Sequence, residues 1–164
     1  METRPLEKSD DIKDLVMSLL GDVDAGKVAD ELVLSFLHDD HYHAFGTKQG
    51  DHSAAFAAMK CDPFEGANEV GEIVFLAVEP LQRKKHLGRG LVRFVEDYAG
   101  KQGIRKLYVI TGVDNIGAVC FWIQQGYSFE ARMRDFTLPG IDNYYMGKTI
   151  RCCGTAVGRY GPLR

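Results

Sequence analysis

Apolar residues recur along the chain at two spacings, and the switches between them mark the predicted elements. Ile12, Leu15, Val16, Leu19 and Leu20 follow the i, i+3, i+4, i+7, i+8 rule of an amphipathic helix, with Ser9 or Asp10 as cap and Gly21 as stop. A second helix is predicted from about Gly26, where Ala29, Leu32, Val33, Phe36 and Leu37 repeat the spacing. Residues 42–48 and 53–60 read as strands around the turn signal Gln49-Gly50-Asp51. After a loop over 61–70, the run Gly71-Glu72-Ile73-Val74-Phe75-Leu76-Ala77-Val78 is apolar almost throughout, which suits a strand covered on both faces.

The second half continues in the same way. Leu87, Leu91, Phe94, Val95 and Tyr98 mark a helix ending at Gly100 or Gly103, and a short strand follows at 106–111. Residues 115–125 form a further helix, with Ile116, Val119, Cys120 and Ile123 on one side and Gly126 as a left-handed stop. Tyr127, Phe129, Ala131 and Met133 alternate with polar residues, predicting a half-buried strand. A last strand is expected at 144–150, with Asp135, Asp142 and Asn143 in the loop before it and 151–164 as a loose tail. Together with a strand near Thr3, this order predicts one α/β domain over 1–164. Its central sheet is mixed, of about seven strands, with helices on both faces and a right-handed strand–helix–strand crossover.

Composition removes several classes of function. With 45% hydrophobic and 26% charged residues, the chain is too apolar for a disordered polymer and too charged for a membrane-spanning one. A net charge of −3 argues against a broad nucleic-acid coat. No apolar stretch approaches the ~18 residues that span a bilayer. The first twenty residues carry eight charges, so a secretory core is not expected there and cytoplasmic residence is, with the nucleus as the alternative. The four cysteines form no C-x-x-C pair, which points away from zinc ribbons and thioredoxin-type redox sites. The run His38-Asp39-Asp40-His41-Tyr42-His43 has metal-binding residue types, but neighbours on a strand point alternately and nothing completes a set, so a solvated loop and no metal are expected.

The turn over 79–90 breaks a rule. A helix N-terminus carries partial positive charge and favours acids, yet Arg83, Lys84, Lys85, Arg89 and Arg93 gather at this one. Arg89 and Arg93 form a like-charge i, i+4 pair. Such crowding becomes favourable around a polyanion, and Gly88 and Gly90 let backbone approach phosphate oxygens closely. The same residues also fit a solvated basic turn. Neither the Walker loop nor the dinucleotide fingerprint is present.

The turn Arg83-Lys84-Lys85-His86-Leu87-Gly88 resembles the Q/R-x-x-G-x-G/A signature of the GNAT acetyl-CoA-dependent N-acetyltransferase superfamily, with His86 where the family has its first glycine. Asn115-x-x-Ala118-x-x-Phe121-Trp122-x-x-x-Gly126-Tyr127 resembles that family's next helix, and the element order from Thr3 to Ile150 follows the family's. The resemblance implies a GNAT-like acyl-CoA N-acyltransferase fold using acetyl-CoA as co-substrate. Amides around Lys85, Leu87, Gly88, Arg89 and Gly90 are then expected to hold the pyrophosphate, and Leu76, Ala77 and Val78 to pair with the pantetheine arm. The Leu76 amide is expected to polarise the acetyl carbonyl. Asn115 and its helix, through Ala118, Phe121 and Trp122, are expected to flank the thiol end. The β-carbon of His86 resists a positive φ, so cofactor affinity is expected to be weaker or the turn to differ slightly there.

Acyl transfer needs a neutral amine, and stripping a lysine-like proton at pH 7 costs about 4.6 kcal/mol. A carboxylate beside an apolar strand, its pKa raised by desolvation, can take that proton. Glu72 is the candidate base. It stands four residues before Leu76, an even separation that predicts a common side-chain face. Its strand, with Gln124-Gln125-Gly126-Tyr127, resembles the catalytic-glutamate branch of histone lysine acetyltransferases. Trp122 stands where many members carry a proton-donating tyrosine, and an indole cannot protonate a thiolate. Tyr144 and Tyr145 are alternatives, Tyr145 being preferred by register, and Cys120 reads as packing. The expected function is direct acetyl transfer to a primary amine, either a protein lysine or a small amino compound or polyamine. No nucleic acid or membrane partner is expected, and the chain is expected to be a monomer or homodimer. The alternative is a catalytically silent acyl-CoA-binding regulatory module.

Overall fold

The computed structural model describes residues 2–7, 12–20, 30–31, 33, 35–36, 38–49, 52–62 and 69–150. The expected stops and caps at Ser9, Asp10 and Gly21, most of the second helix, and the tail at 151–164 lie outside the described residues. The elements are β1 (Glu2–Pro5), α1 (Ile12–Leu20), β2 (Tyr42–Gln49), β3 (His52–Cys61), β4 (Val70–Val78), a short 3-10 turn (Pro80–Gln82), α2 (Leu87–Lys101), β5 (Lys106–Gly112), α3 (Ile116–Gln124), β6 (Ser128–Leu138) and β7 (Ile141–Thr149). Asp30, Glu31, Val33, Ser35, Phe36 and His38 are also helical.

The seven strands form one mixed sheet in the order β1-β2-β3-β4-β5-β7-β6. All neighbours are antiparallel except β4 and β5, the pair joined through α2. A parallel pair needs such a crossover, and the periodic apolar stripe of α2 supplies one that covers the sheet. Gly103 (φ 83°) and Gly126 (φ 88°) adopt the left-handed conformation just after α2 and α3, where the sequence predicts helix stops.

The alternation of β3 divides the core into two layers. Ala55, Ala57 and Met59 face Leu91, Val92 and Val95 of α2, together with Leu107, Trp122 and Met146. Phe56 and Ala58 face Val16 and Leu19 of α1, with Phe36 and Ala77. Small alanines on the strand let helices approach from both sides, so the run survives without large side chains of its own. Among the described residues no helix is long and apolar enough to cross a membrane.

The last hairpin departs from expectation. Residues 134–143 are not a loop: β6 runs to Leu138, turns at Gly140 (φ 81°) and returns as β7 from Ile141. Nor is β6 half-buried, since ten of its eleven residues are exposed, Phe129 at 52%. Its pairing with β7 slips between Phe129 and Ala131 and again between Met133 and Leu138, so the simple alternation breaks on this edge strand.

Leu107 is wholly buried in the α2 layer. Leu107→Ala is expected to lower unfolding free energy by about 2–5 kcal/mol through lost transfer energy and an unfilled cavity. Urea unfolding should show this as a lower midpoint at an unchanged slope.

Candidate active site

The parallel pair at the centre of the sheet is short. β4 and β5 are in register only at Val70↔Lys106, Gly71↔Leu107 and Glu72↔Tyr108. On its other side β4 carries a bulge: Ile73 stands opposite Met59 and Phe75 opposite Ala58, which leaves Val74 extra. A bulge bends its strand and tightens the local twist, turning β4 away from β5 beyond Glu72. From Ile73 to Val78 the strand is therefore paired on the β3 side alone, and a V-shaped cleft opens with the Glu72–Tyr108 rung at its apex.

The cleft has a volume of ≈ 1220 Å³ and is lined by residues 73–78 of β4, the following turn, Val109 to Thr111 of β5, and α3. That exceeds the roughly 300–1,000 Å³ of ordinary small-molecule sites, leaving room for an extended ligand. Of the expected cofactor residues, Leu76, Ala77, Val78, Arg83, Lys84, His86, Leu87, Gly88, Arg89, Asn115, Ala118, Phe121 and Trp122 all line it. Lys85 and Gly90 are not among its lining residues. The Lys85 ammonium donates to the Gln82 side chain at 3.0 Å. The Gly90 amide, expected to face a ligand, donates instead to the His86 carbonyl at 2.9 Å.

That bond is the first of α2, so the amides of Leu87, Gly88 and Arg89 have no carbonyl within the helix. Among the described residues no carboxylate lies within ion-pair distance of Arg83, Lys84, Lys85, Arg89 or Arg93. Arg83 also donates from Nε to the Val78 carbonyl at 3.2 Å, clamping the turn onto the end of β4. An added β-carbon on Gly90 meets nothing within 4 Å, so its own surroundings do not demand a glycine. On Gly88 it lies 3.4 Å from both Val78 and Phe121. Orphan amides, a helix dipole and unpaired cations together fit an anionic group such as a diphosphate.

His86 caps α2 in the left-handed conformation (φ 62°, ψ 10°), and Lys84 two residues earlier has φ 61°. The turn therefore keeps the shape a glycine would give it, at a cost of about 1–2 kcal/mol for each such residue. Asn115 caps α3, its side-chain oxygen accepting from the Ala118 amide at 3.2 Å.

The bulge also overturns the expected common face of Glu72 and Leu76. Val74 and Phe75 both pack towards α1, whereas Leu76 and Val78 pack towards α2. Counting through the bulge puts Glu72 on the α1 side and Leu76 on the opposite one, because the extra residue reverses the parity. Glu72 is partly buried, and burial raises its pKa above the ordinary glutamate value, with Lys60 pulling it part-way back. Beside it on that face the rings of Tyr108 and Tyr145 stand 4.6 Å apart. Burial pushes the Tyr145 hydroxyl pKa up, reinforced by Glu72, Tyr108 and Glu130. Tyr145 faces this side of the sheet and is not among the cleft's lining residues. Trp122 is buried at 6% exposure, with its ring 5.0 Å from that of Tyr127.

The histidine-rich run spreads apart. His41 Nδ1 lies 2.9 Å from Asp39, while His43 turns inward to the Tyr98 hydroxyl at 3.2 Å. Cys120 is exposed on α3, against the expectation that it packs, because Val119 and Trp122 carry the buried side.

The family model described as "Acetyltransferase (GNAT) family" matches residues 11–127. The chain belongs to this family. A curated relative, the uncharacterized protein YdhI of Bacillus subtilis, is 27% identical over 92 residues, and the chain spans 58% of that relative's length and 48% of its own. Similar solved structures include the ribosomal-protein-S18-alanine N-acetyltransferase of Escherichia coli (TM-score 0.72, 19% identity, 96% of this chain and 98% of that one). An aminoglycoside 6′-N-acetyltransferase complexed with coenzyme A is similar over 91% of this chain and 97% of its own (TM-score 0.72, 16% identity). So is a Vibrio cholerae spermidine N-acetyltransferase chimera, over 91% and 96% (TM-score 0.72, 18% identity). At these identities the likeness is one of fold. Within that fold, this GNAT chain combines the open β4–β5 wedge with a histidine at the helix cap. The β6 bulge that brings Glu130 near Tyr145 escaped the sequence, in which Glu130 falls in step with the alternation and leaves no trace of it.

His86→Gly is expected to relieve the left-handed strain and raise unfolding free energy by about 0.5–1 kcal/mol, net of the entropy glycine adds to the unfolded chain. A lower urea midpoint in this variant contradicts that account.

Proposed function

We propose that this protein is an N-acetyltransferase that moves an acetyl group from acetyl-CoA directly to a primary amine, with Glu72 as general base. One observation carries the reading: the cleft opens just past the Glu72–Tyr108 pair, its β4 lining starting at Ile73 with Glu72 itself outside it, and ends at a helix terminus with orphan amides and unpaired cations. A ligand with an anionic diphosphate at one end and a reactive group at the other matches that polarity. GNAT members use acetyl-CoA, which supplies an activated acetyl thioester when bound. Coenzyme A is present in the aminoglycoside enzyme of the same fold.

The chain's own residues then divide the work. Amides of Leu87, Gly88 and Arg89 hold the diphosphate, and Arg83, Lys84 and Arg89 neutralise it. Those backbone groups of β4 around Leu76, Ala77 and Val78 that β3 and the Arg83 side chain leave open pair with the pantetheine arm, in place of the missing strand partner. Glu72, at the apex and made a stronger base by burial, accepts the proton of the incoming ammonium. Tyr145, surrounded by Glu72 and Glu130, retains its proton too firmly to be a ready acid for a thiolate. It serves on the acceptor side as a fixed hydrogen-bond donor. The acceptor belongs to the primary amines, a class that takes in protein lysines and polyamines. The catalytic-glutamate strand supports a lysine-like amine.

Glu72→Gln is expected to lower kcat by about two to four decades with acetyl-CoA affinity nearly intact. Unchanged turnover removes Glu72 from the mechanism. A base must be ionised to act, and burial lifts the pH at which Glu72 ionises. The acidic limb of kcat/KM is therefore expected above glutamate's ordinary value, with activity lost as pH falls through it, and to vanish in Glu72→Gln. Gly88→Val is expected to cut acetyl-CoA affinity at least about tenfold in calorimetry, since its γ-carbons crowd the gap between Val78 and Phe121 and the cleft beside it. Normal affinity in that variant means that the cradle lies elsewhere.

A further inference from the structure

On the α1 side of the sheet, beyond Tyr108 and Tyr145, stands a cluster that the proposed reaction does not use. The Lys106 ammonium lies 2.6 Å from one oxygen of Glu130 and 2.8 Å from the other, and 4.7 Å above the centre of the Tyr108 ring. A carboxylate on one side and an aromatic face on another is how proteins hold an alkylammonium. Burial alone lowers the Lys106 pKa, but its hydrogen bonds to Glu130 and Tyr108 more than offset this and hold the side chain protonated.

Two local features build the arrangement. The register slip between Phe129 and Ala131 makes Glu130 the extra residue of β6 and swings it onto this face. Its carboxylate then occupies the space where a β-carbon of residue 147 would stand, and that β-carbon would also come within 2.9 Å of the Tyr108 ring. Gly147 therefore makes the room. Glu72, Tyr108 and Gly147 lie in one row across β4, β5 and β7. Two strand spacings, roughly 10 Å, separate the ends of that row, and allowing for an ammonium–carboxylate contact at each end leaves about 6–9 Å between two nitrogens, a span of about four to six methylenes.

We propose that Glu130 and Tyr108 form a second ammonium subsite, filled by Lys106 in the free protein and taken over by the far cation of a di- or polyamine acceptor. The near amine of that acceptor is at Glu72, its methylenes lie on the Tyr108–Tyr145 floor, and Lys106, on a flexible stem, gives way. This rests on the reading of Glu72 as the base of an amine acetyltransferase, and it selects diamines over monoamines of equal length. An internal occupant weakens the apparent affinity for the external one, so removing Lys106 is expected to help the ligand.

The test is calorimetric titration of 1,5-diaminopentane and 1-aminopentane into the cofactor-free protein, in the wild type, Glu130→Gln and Lys106→Met, with thermal unfolding as a check on folding. The wild type is expected to prefer the diamine. That preference is expected to fall about tenfold in Glu130→Gln, which loses a charge-assisted contact, and to rise about tenfold in Lys106→Met. A preference unmoved in both variants, a weaker diamine in Lys106→Met, or no binding of either amine to the wild type overturns the proposal. Because no acetyl donor is present, Glu130-dependent diamine binding without any later acetyl transfer counts against the acetyltransferase reading and leaves the subsite standing.

Discussion

Opposite Met59 and Ala58 of β3, strand β4 places three residues, Ile73, Val74 and Phe75, where two would keep the ladder regular. The extra residue twists the strand, and β5 cannot follow it, so the parallel β4–β5 pairing ends at Glu72↔Tyr108. A gap in the middle of a sheet is costly if it stays bare, because half of the β4 backbone there loses its natural partner. The molecule keeps the gap open by packing α2 against one flank and α3 against the other, with Val78, Gly88 and Phe121 meeting where the two helices approach. Backbone groups left open within a well-packed frame are an invitation to an extended ligand.

Electrostatics then gives the gap a direction. At the turn, the dipole of α2, three orphan amides and cations without acids all have one sign. At the apex, a partly buried carboxylate has the other. These charges stabilise little in the free protein, and the left-handed His86 and Lys84 cost something. Strain and like-charge crowding in one short turn are what a fold tolerates when binding, rather than stability, has shaped the segment.

The sequence carried the order of elements because each signal was local and strong. The α2 stripe, the stops at Gly103 and Gly126, and the apolar run of β4 are set by their own residues. The cationic turn was legible for the same reason, since five basic residues at a helix start contradict a rule that needs no tertiary information. What stayed hidden depends on neighbouring strands. Counting residues from Glu72 to Leu76 gave one common face, but a bulge exists only relative to the strand opposite, and nothing within Ile73-Val74-Phe75 marks Val74 as the extra residue. The β6 alternation failed likewise, because Phe129 and Ala131 are patterned like a buried strand yet lie on an edge that no described element covers. Gly90 illustrates a smaller limit: its amide belongs to the first helical bond, which depends on where the helix begins.

The reversed parity that the bulge imposes makes better chemical sense than the regular strand would have. With Glu72 and Leu76 on one face, the base would lie on the same side as the helix layer that grips the cofactor, and an amine would have to enter past the ligand it is meant to attack. With the parity reversed, α2 and α3 keep one side of the sheet for the cofactor, while Glu72, Tyr108 and Tyr145 occupy the other. In the proposed reaction the two substrates therefore arrive from opposite faces and meet only at the apex of the gap. The residue that opens the sheet is thus the same one that assigns its two faces to two partners, and a single insertion in β4 accounts for both.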